Sequence, residues 1–441
     1  MSSRPSTIRT DARPKQVRVY LPCLNWIRAF APLLVVMVHA GVAYMTFRLP
    51  GLVWSTFDPV GDLTIDALIW WIGGFVMPLF FVLSGLLSCQ NMKANGAQGF
   101  LKHRMHRLLV PMAAAFVVIM PFDLYALLLG WAGEGKITLH KLRSLKIDSP
   151  LSDGLWGPSH LWFMQHLILL CIGAWALASL SQWLKPRIKK LHWPAFLTPS
   201  HLTTWSLLAV STAAMWWDPQ VNIGFRHSWW PPLANFLFFA PWFAIGWLAG
   251  TKLDRTKSTS SSDSGDATRE QHPGQTPFVR LCEVRLLASL GLFAFLLPMI
   301  REHVATGSSG YGRMALVTTY VLHMWLATTG WFGICLRWLK RPTPKPVKYL
   351  GEASFWVYLS HHPIVLLAHV SLSEVALPLS VKFVLVSTVG IVLPLLMYSA
   401  FISKTRLGAL LGGGQRRKSS DDPPTVLVFP VHEPQPLKKS A

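Results

Sequence analysis

Histidines inside apolar stretches are the first residues of this sequence that suggest chemistry. His39, His361 and His362 each lie in a run long enough to be a membrane-spanning helix. An ionisable side chain in hydrocarbon costs free energy, so its presence there predicts a function. Imidazole takes up and releases protons near neutral pH, which makes all three candidates for proton transfer. The alternative is structural, because a residue such as Pro363 frees backbone carbonyls that polar neighbours then satisfy.

Three arginines accompany these histidines on the side predicted to be cytoplasmic. Arg28 and His39 are eleven residues apart, close to three helical turns, so they share a helix face about 8 Å and 24 Å from the cytoplasmic end. Arg104 and Arg107 also share a face, and paired guanidinium groups suit phosphate. Snorkelling of Arg28 and an ordinary basic flank are the alternatives. The pattern predicts a phosphate-bearing molecule such as coenzyme A, held from the cytoplasm with its reactive end near His39.

Two further polar residues have both a functional and a structural interpretation. Ser84 stands next to Gly85, and small residues let helices approach closely. Because Ser84 is level with Arg28 rather than with His39, a Ser84–His39 nucleophile pair is disfavoured. Asp123 is level with His39, and is predicted either to orient that histidine or to form a hydrogen bond to another helix.

The predicted outer surface carries a short polar and aromatic string. His160 lies on the side that His39 approaches, and Trp162 follows it. Trp162 is a candidate to stack on a sugar ring, although aromatic residues are also common at membrane interfaces. None of the five cysteines forms a CxxC pair, so neither a zinc site nor a disulfide framework is predicted.

The elements that must position these residues are transmembrane helices. Hydrophobic residues make up 51% of the 441 residues and charged residues only 14%, well below the fraction in soluble domains. An all-α, polytopic membrane protein with about ten helices is therefore predicted. The ten runs are 23–45, 64–88, 108–130, 161–183, 202–217, 231–250, 281–300, 314–336, 349–370 and 377–401.

The basic residues support this topology. Of the 41 Lys and Arg residues, 31 lie in alternate segments that become cytoplasmic if the N-terminus is inside, against 8 in the outer segments. Both termini are thus predicted to be cytoplasmic, in a multi-pass protein of the plasma (inner) membrane. The net charge of +21 is explained by topology, so no nucleic-acid partner is expected. Lys382, near the outer end of the last run, is expected to snorkel.

The predicted organisation is one membrane domain with polar ends. Residues 1–22 form a cytoplasmic tail, 23–410 the transmembrane domain and 411–441 a disordered tail. A flexible cytoplasmic loop is predicted at about 251–280, where the sequence is rich in Ser and Asp.

The motifs, in this order, resemble those of the acyltransferase-3 family of membrane acyltransferases. The matching strings are L-N-W-I-R-A (24–29) with His39, F-F-V-L-S-G (80–85), R-M-H-R-L (104–108), H-L-W-F (160–163) and Y-L-S-H-H-P (358–363). The resemblance spans roughly residues 21–410. One departure is Asn25, which stands where the family usually has Asp and cannot form the same ion pair with Arg28.

The resemblance implies transfer of an acyl group from cytoplasmic acyl-CoA to a hydroxyl of an extracytoplasmic carbohydrate. It implies His39 as general base, Arg28 and His361 as further catalytic residues, and Arg104 and Arg107, with Ser84, on the donor side. His160, Trp162, His362 and Asp123 are the predicted acceptor-binding residues. A likeness to glucan-modifying members implies a glucan or other polysaccharide acceptor, and succinyl-CoA or acetyl-CoA as donor substrate. No permanently bound cofactor and no metal are expected, and membrane lipids are the surrounding partner.

Two other functions are consistent with the same residues. A transporter or exporter of a glycan or lipid-linked sugar would use intramembrane His and Arg as a proton relay. A membrane scaffold would recruit partners through the basic loops. Thiol release from acyl-CoA distinguishes the enzyme from both.

Overall fold

The computed structural model describes residues 16–19, 22–144, 147, 155, 157–184, 201–226, 228–260, 277–339, 341–405 and 427–430. The regular secondary structure of this part of the chain is helical apart from two short strands. The helices are α1 (Pro22–Val42), α2 (Leu63–Gly133), α3 (Lys141–Ser144), α4 (Trp162–Leu184), α5 (His201–Trp217), α6 (Gln220–Ile223), α7 (Leu233–Ser260), α8 (Pro277–Arg280), α9 (Cys282–Thr306), α10 (Gly310–Trp338), α11 (Lys345–Leu372) and α12 (Leu379–Met397). A 3₁₀ turn (Ser159–Leu161) precedes α4, and a π-helical turn (Tyr398–Ile402) follows α12.

Seven of the described helices are long and apolar enough to cross a membrane: α1, α2, α4, α7, α9, α11 and α12. The chain is therefore a multi-pass membrane protein. Helix α2 contains two of the ten predicted spans, while the spans predicted at 202–217 and 314–336 are the helices α5 and α10, which are not among the seven. The count of ten and the cytoplasmic termini remain predictions.

Helix α2 is a hairpin of two arms. It has 71 residues, about 107 Å if straight, which is far longer than a bilayer needs. Gly96, with φ 68° and ψ 177°, breaks it into two arms, and glycine tolerates this conformation because it lacks a Cβ. Asp66 in the first arm accepts a hydrogen bond from the backbone of Thr46, and Trp131 in the second donates to the carbonyl of Trp54. Both ends of α2 therefore meet the 43–62 loop, so its arms run antiparallel.

The first arm of α2 crosses α7 at two glycines. A Cβ on Gly85 would collide with the carbonyl oxygen of Phe243, and one on Gly246 with that of Val82. The backbones approach this closely only because neither residue has a side chain. The predicted packing role of Gly85 is thus confirmed.

The sequence predicted that Lys382 snorkels, and this prediction is wrong. Its Nζ donates a 2.8 Å hydrogen bond to Asp58 Oδ2, and both side chains are buried. Asp58 lies in the 43–62 loop, more than 300 residues away along the chain, so no local pattern indicates this ion pair.

The chain ends lie mostly beyond the described residues. Strands β1 (Gln16–Val19) and β2 (Leu427–Pro430) pair antiparallel, with Gln16 opposite Pro430. The rest of the predicted tails, and residues 261–276 of the predicted loop, fall outside the described residues.

Candidate active site

His39 and His361 form a hydrogen-bonded pair between α1 and α11. His39 Nδ1 lies 2.8 Å from His361 Nε2. The other nitrogen of His361, Nδ1, lies 2.8 Å from the carbonyl oxygen of Tyr358 and 3.0 Å from that of Val357, so it carries a proton. With both rings neutral, His361 Nε2 is the acceptor and His39 Nδ1 donates to it. His39 Nε2 is then unprotonated, which is the state a general base requires.

Asp123 pairs with His362 rather than with His39. The Nδ1–H of His362 donates to Asp123 Oδ1, and the hydroxyl of Ser159 donates to Oδ2 at 2.8 Å. Of the two roles predicted for Asp123, orienting His39 is therefore wrong in this structure, and a hydrogen bond to another helix is correct. Asp123 and His362 are 6% and 7% exposed, so this hydrogen-bonded pair lies in the interior of the protein.

His160 is fixed by the proline that follows the histidine pair. Pro363 has no N–H, so the carbonyl of Leu359 loses its helical hydrogen bond. His160 Nε2 lies 3.0 Å from that oxygen and donates to it, while Tyr358 Oη donates at 2.7 Å to the backbone carbonyl of His160. The structural function predicted for Pro363 and the placement of His160 are thus parts of one arrangement.

Sequence reasoning missed Trp54 and His369. Trp54 Nε1 donates at 3.0 Å to His369 Nδ1, and His369 Nε2 donates at 3.0 Å to the carbonyl of Ala40, one residue beyond His39. His369 lies seven residues after His362, about two turns further along the same face of α11, which is the signal that would have found it. Trp54 lies in a loop between predicted spans and had no such signal.

These side chains surround a cavity of about 180 Å³. His39, His160 and His362 line it, together with Trp54, Trp162 and Tyr358. Polar residues of the cavity wall include Ser159, Gln165, Gln220, Asn222, Arg226 and Asn235. His361 is fully buried behind His39 and is not part of the lining, and neither is Ser84. With His166, which also lines it, the cavity joins aromatic faces, amide groups and four imidazoles.

The predicted arginine set comes together elsewhere, between α1 and the second arm of α2. Arg28 lies within electrostatic range of Arg107 and Arg104, with Glu352 of α11 as a carboxylate in range. Nε of Arg104 is buried and has no hydrogen-bond partner within the part of the chain that the structure describes. Among the described residues, three guanidinium groups thus lie in one region, and such a group is suited to an anion.

Asn25, the departure from the family pattern, does not face Arg28 in an ion pair. Its Nδ2 donates at 3.3 Å to Thr343 Oγ1, just before α11. Glu352 is a carboxylate within electrostatic range of Arg28.

The same histidines offer one set of metal-ligand atoms. Asp123, His160 and His362 present donor atoms within 4.8 Å of one another. Both oxygens of Asp123 already accept protein hydrogen bonds, so a metal would have to replace these contacts.

The comparisons with known proteins bear on the whole transmembrane region. The family described as the acyltransferase domain, acyltransferase-3, matches residues 21–399. The chain belongs to the acyltransferase-3 family. No curated protein and no solved structure matches it. The match begins just before α1 and ends in the π-helical turn, so it includes the histidine cluster and the arginine cluster of this acyltransferase.

Proposed function

We propose that this membrane acyltransferase moves an acyl group from acyl-CoA to a hydroxyl group of a carbohydrate, with His39 as general base. The observation that carries the proposal is the His39–His361 hydrogen bond. It leaves Nε2 of His39 unprotonated on a ring that lines the cavity. An activated hydroxyl acting on a thioester is the chemistry that such a nitrogen supports.

The proposed reaction is a direct transfer. His39 Nε2 takes the proton of the acceptor hydroxyl, and the hydroxyl oxygen attacks the thioester carbonyl carbon. The carbon–sulfur bond then breaks, and the imidazolium returns the proton to the leaving thiolate, so that free CoA and an ester are formed.

The donor enters, in this proposal, past the arginine cluster. Arg28, Arg104 and Arg107 hold the phosphates of CoA, and the thioester reaches His39. Along α1 the two positions are about 17 Å apart, a distance that an extended pantetheine arm spans. Buried, incompletely satisfied guanidinium groups such as Arg104 gain hydrogen bonds when an anion binds.

The acceptor occupies the cavity beside Trp54 and Trp162. Aromatic faces next to amide side chains are suited to a sugar ring. The motifs also resemble glucan biosynthesis protein C, so a periplasmic glucan acceptor, a succinyl donor and an inner-membrane location are the finer part of the proposal.

The proposal is tested by thiol release from succinyl-CoA and acetyl-CoA, with purified protein in detergent and a glucan oligosaccharide as acceptor. The key variant is His39→Asn, whose amide can still donate to His361 but offers no basic nitrogen; His39→Ala serves as a second variant. We expect kcat to fall at least about 100-fold, the usual contribution of a general base.

A matched control is His323→Gln. His323 is as buried as His361 but lies in α10 and does not line the cavity. It should keep near-normal turnover, even if its melting temperature falls. Normal turnover in folded His39→Asn refutes the base assignment. No thiol release by the wild-type protein with either donor refutes the proposed activity, and acceptor uptake under those conditions would favour the transporter.

A further inference from the structure

His160 carries a buried polar atom that no group of the described residues satisfies. Its side chain is 4% exposed, and Nδ1 has no hydrogen-bond partner among the described residues. Because Nε2 donates to Leu359, Nδ1 is unprotonated and accepts hydrogen bonds. A buried acceptor left empty costs free energy, so such an atom calls for a ligand. His160 lines the same cavity as His39, so this acceptor belongs to a ring of the cavity wall.

His362 lies directly against this acceptor. The rings of His160 and His362 are stacked, with centroids 4.7 Å apart and 11° between their planes. Asp123 holds His362 through Nδ1, so Nε2 is the nitrogen that remains for a ligand. A hydroxyl group both donates and accepts, and therefore satisfies His160 Nδ1 together with either protonation state of His362.

The reacting hydroxyl is placed at His39, whose ring is next to that of His362. The centroids of His39 and His362 are 5.1 Å apart, and their planes are nearly perpendicular. Two hydroxyl oxygens on adjacent carbons lie about 3 Å apart, roughly one hydrogen-bond length. A vicinal diol can therefore place one hydroxyl at His39 and its neighbour at the stacked pair.

We propose that His160 and His362, with Asp123 behind them, bind a second acceptor hydroxyl adjacent to the one that is acylated, so that vicinal diols are selected. The inference depends on the proposed function only in identifying the hydroxyl that is acylated. A metal ion is the less favoured occupant, because both oxygens of Asp123 accept protein hydrogen bonds.

The test is a binding measurement that does not need turnover. Calorimetry on the purified protein in detergent compares methyl β-D-glucopyranoside with its four monodeoxy derivatives. Removal of one particular hydroxyl should weaken binding about tenfold or more, since it leaves a buried acceptor empty. Where transfer occurs, that hydroxyl should neighbour the position that is acylated.

Two variants of His160 form a matched pair. Asn presents an oxygen near the position of Nδ1, whereas Gln presents its amide near Nε2 and keeps the bond to Leu359. His160→Gln should bind the full and the deoxy sugar equally, and His160→Asn should keep the difference.

Several results would overturn the inference. These are equal binding of all deoxy sugars by the wild type, no measurable binding of any glucoside, or loss of discrimination in His160→Asn but not in His160→Gln. One equivalent of tightly bound zinc, lost in both Asp123→Asn and His160→Gln, would also overturn it. If the protein still discriminates between the sugars but releases no thiol from acyl-CoA, the proposed activity is refuted and this inference is not.

Discussion

The hydrogen bond between His39 and His361 gives the sharpest prediction, because it sets which nitrogen of His39 is basic. The variant His361→Leu removes the acceptor, and leaves the Nδ1–H of His39 without a partner. A buried, unsatisfied donor costs about 1–3 kcal/mol. The ring avoids that cost by reorienting or by moving its proton to Nε2, and either change removes the base.

The size of the effect follows from this penalty. If the whole penalty of about 1–3 kcal/mol disfavours the productive tautomer of His39, kcat falls about 5- to 150-fold. The KM for the acceptor should change little, because His361 does not line the cavity. His361→Gln, whose side-chain oxygen can accept from His39, should retain kcat within about tenfold of wild type.

The assay is steady-state thiol release at varied acceptor and saturating acyl-CoA, on protein whose melting temperature is measured in the same detergent. Equal losses in His361→Leu and His361→Gln would contradict the tautomer argument. A change confined to KM would show that His361 contributes to acceptor binding instead.

Three further changes test the scaffold by thermal unfolding in detergent. Gly85→Ala sets a methyl group against a backbone carbonyl of α7 and should destabilise by about 1–3 kcal/mol, whereas Gly291→Ala meets no atom within 4 Å and should be neutral or stabilising. Lys382→Met leaves the carboxylate of Asp58 buried alone and should cost about 3 kcal/mol or more, with partial recovery when Asp58→Asn is added. Burial raises the pKa of Glu134, but hydrogen bonds, first from Lys136, outweigh burial and lower the pKa overall. The contribution of Glu134 to folding stability is therefore present above about pH 4.5 and is lost as the pH falls through the lowered pKa. Glu134→Gln should remove that pH dependence, which is worth about 1 kcal/mol at most because the pair is partly exposed.

Local patterns predicted the parts of the site that repeat along one helix. His39 and Arg28 lie on α1, and His361 and His362 on α11, and each was singled out because an ionisable group is costly in an apolar run. The close approach at Gly85 was likewise readable from small residues in a span.

Partnerships between distant segments were not readable in this way. Asp123 and His362 are 239 residues apart, and His39 and His361 are 322 apart. The sequence offered His39 as a partner for Asp123 because the two are level in the membrane, but depth does not say which helices are adjacent.

The sequence by itself therefore determined that this protein is built from apolar helices and which ionisable residues lie inside them. Hydropathy and charge patterns are formed by residues that are neighbours along the chain, so they can be read without knowledge of the fold. Only the tertiary structure decided that the 43–62 loop brings Trp54 to the histidines. It also decided that Asp58 neutralises Lys382, and that His361 rather than Asp123 holds His39. Those choices depend on which helix faces meet, and that is set by packing across the whole chain.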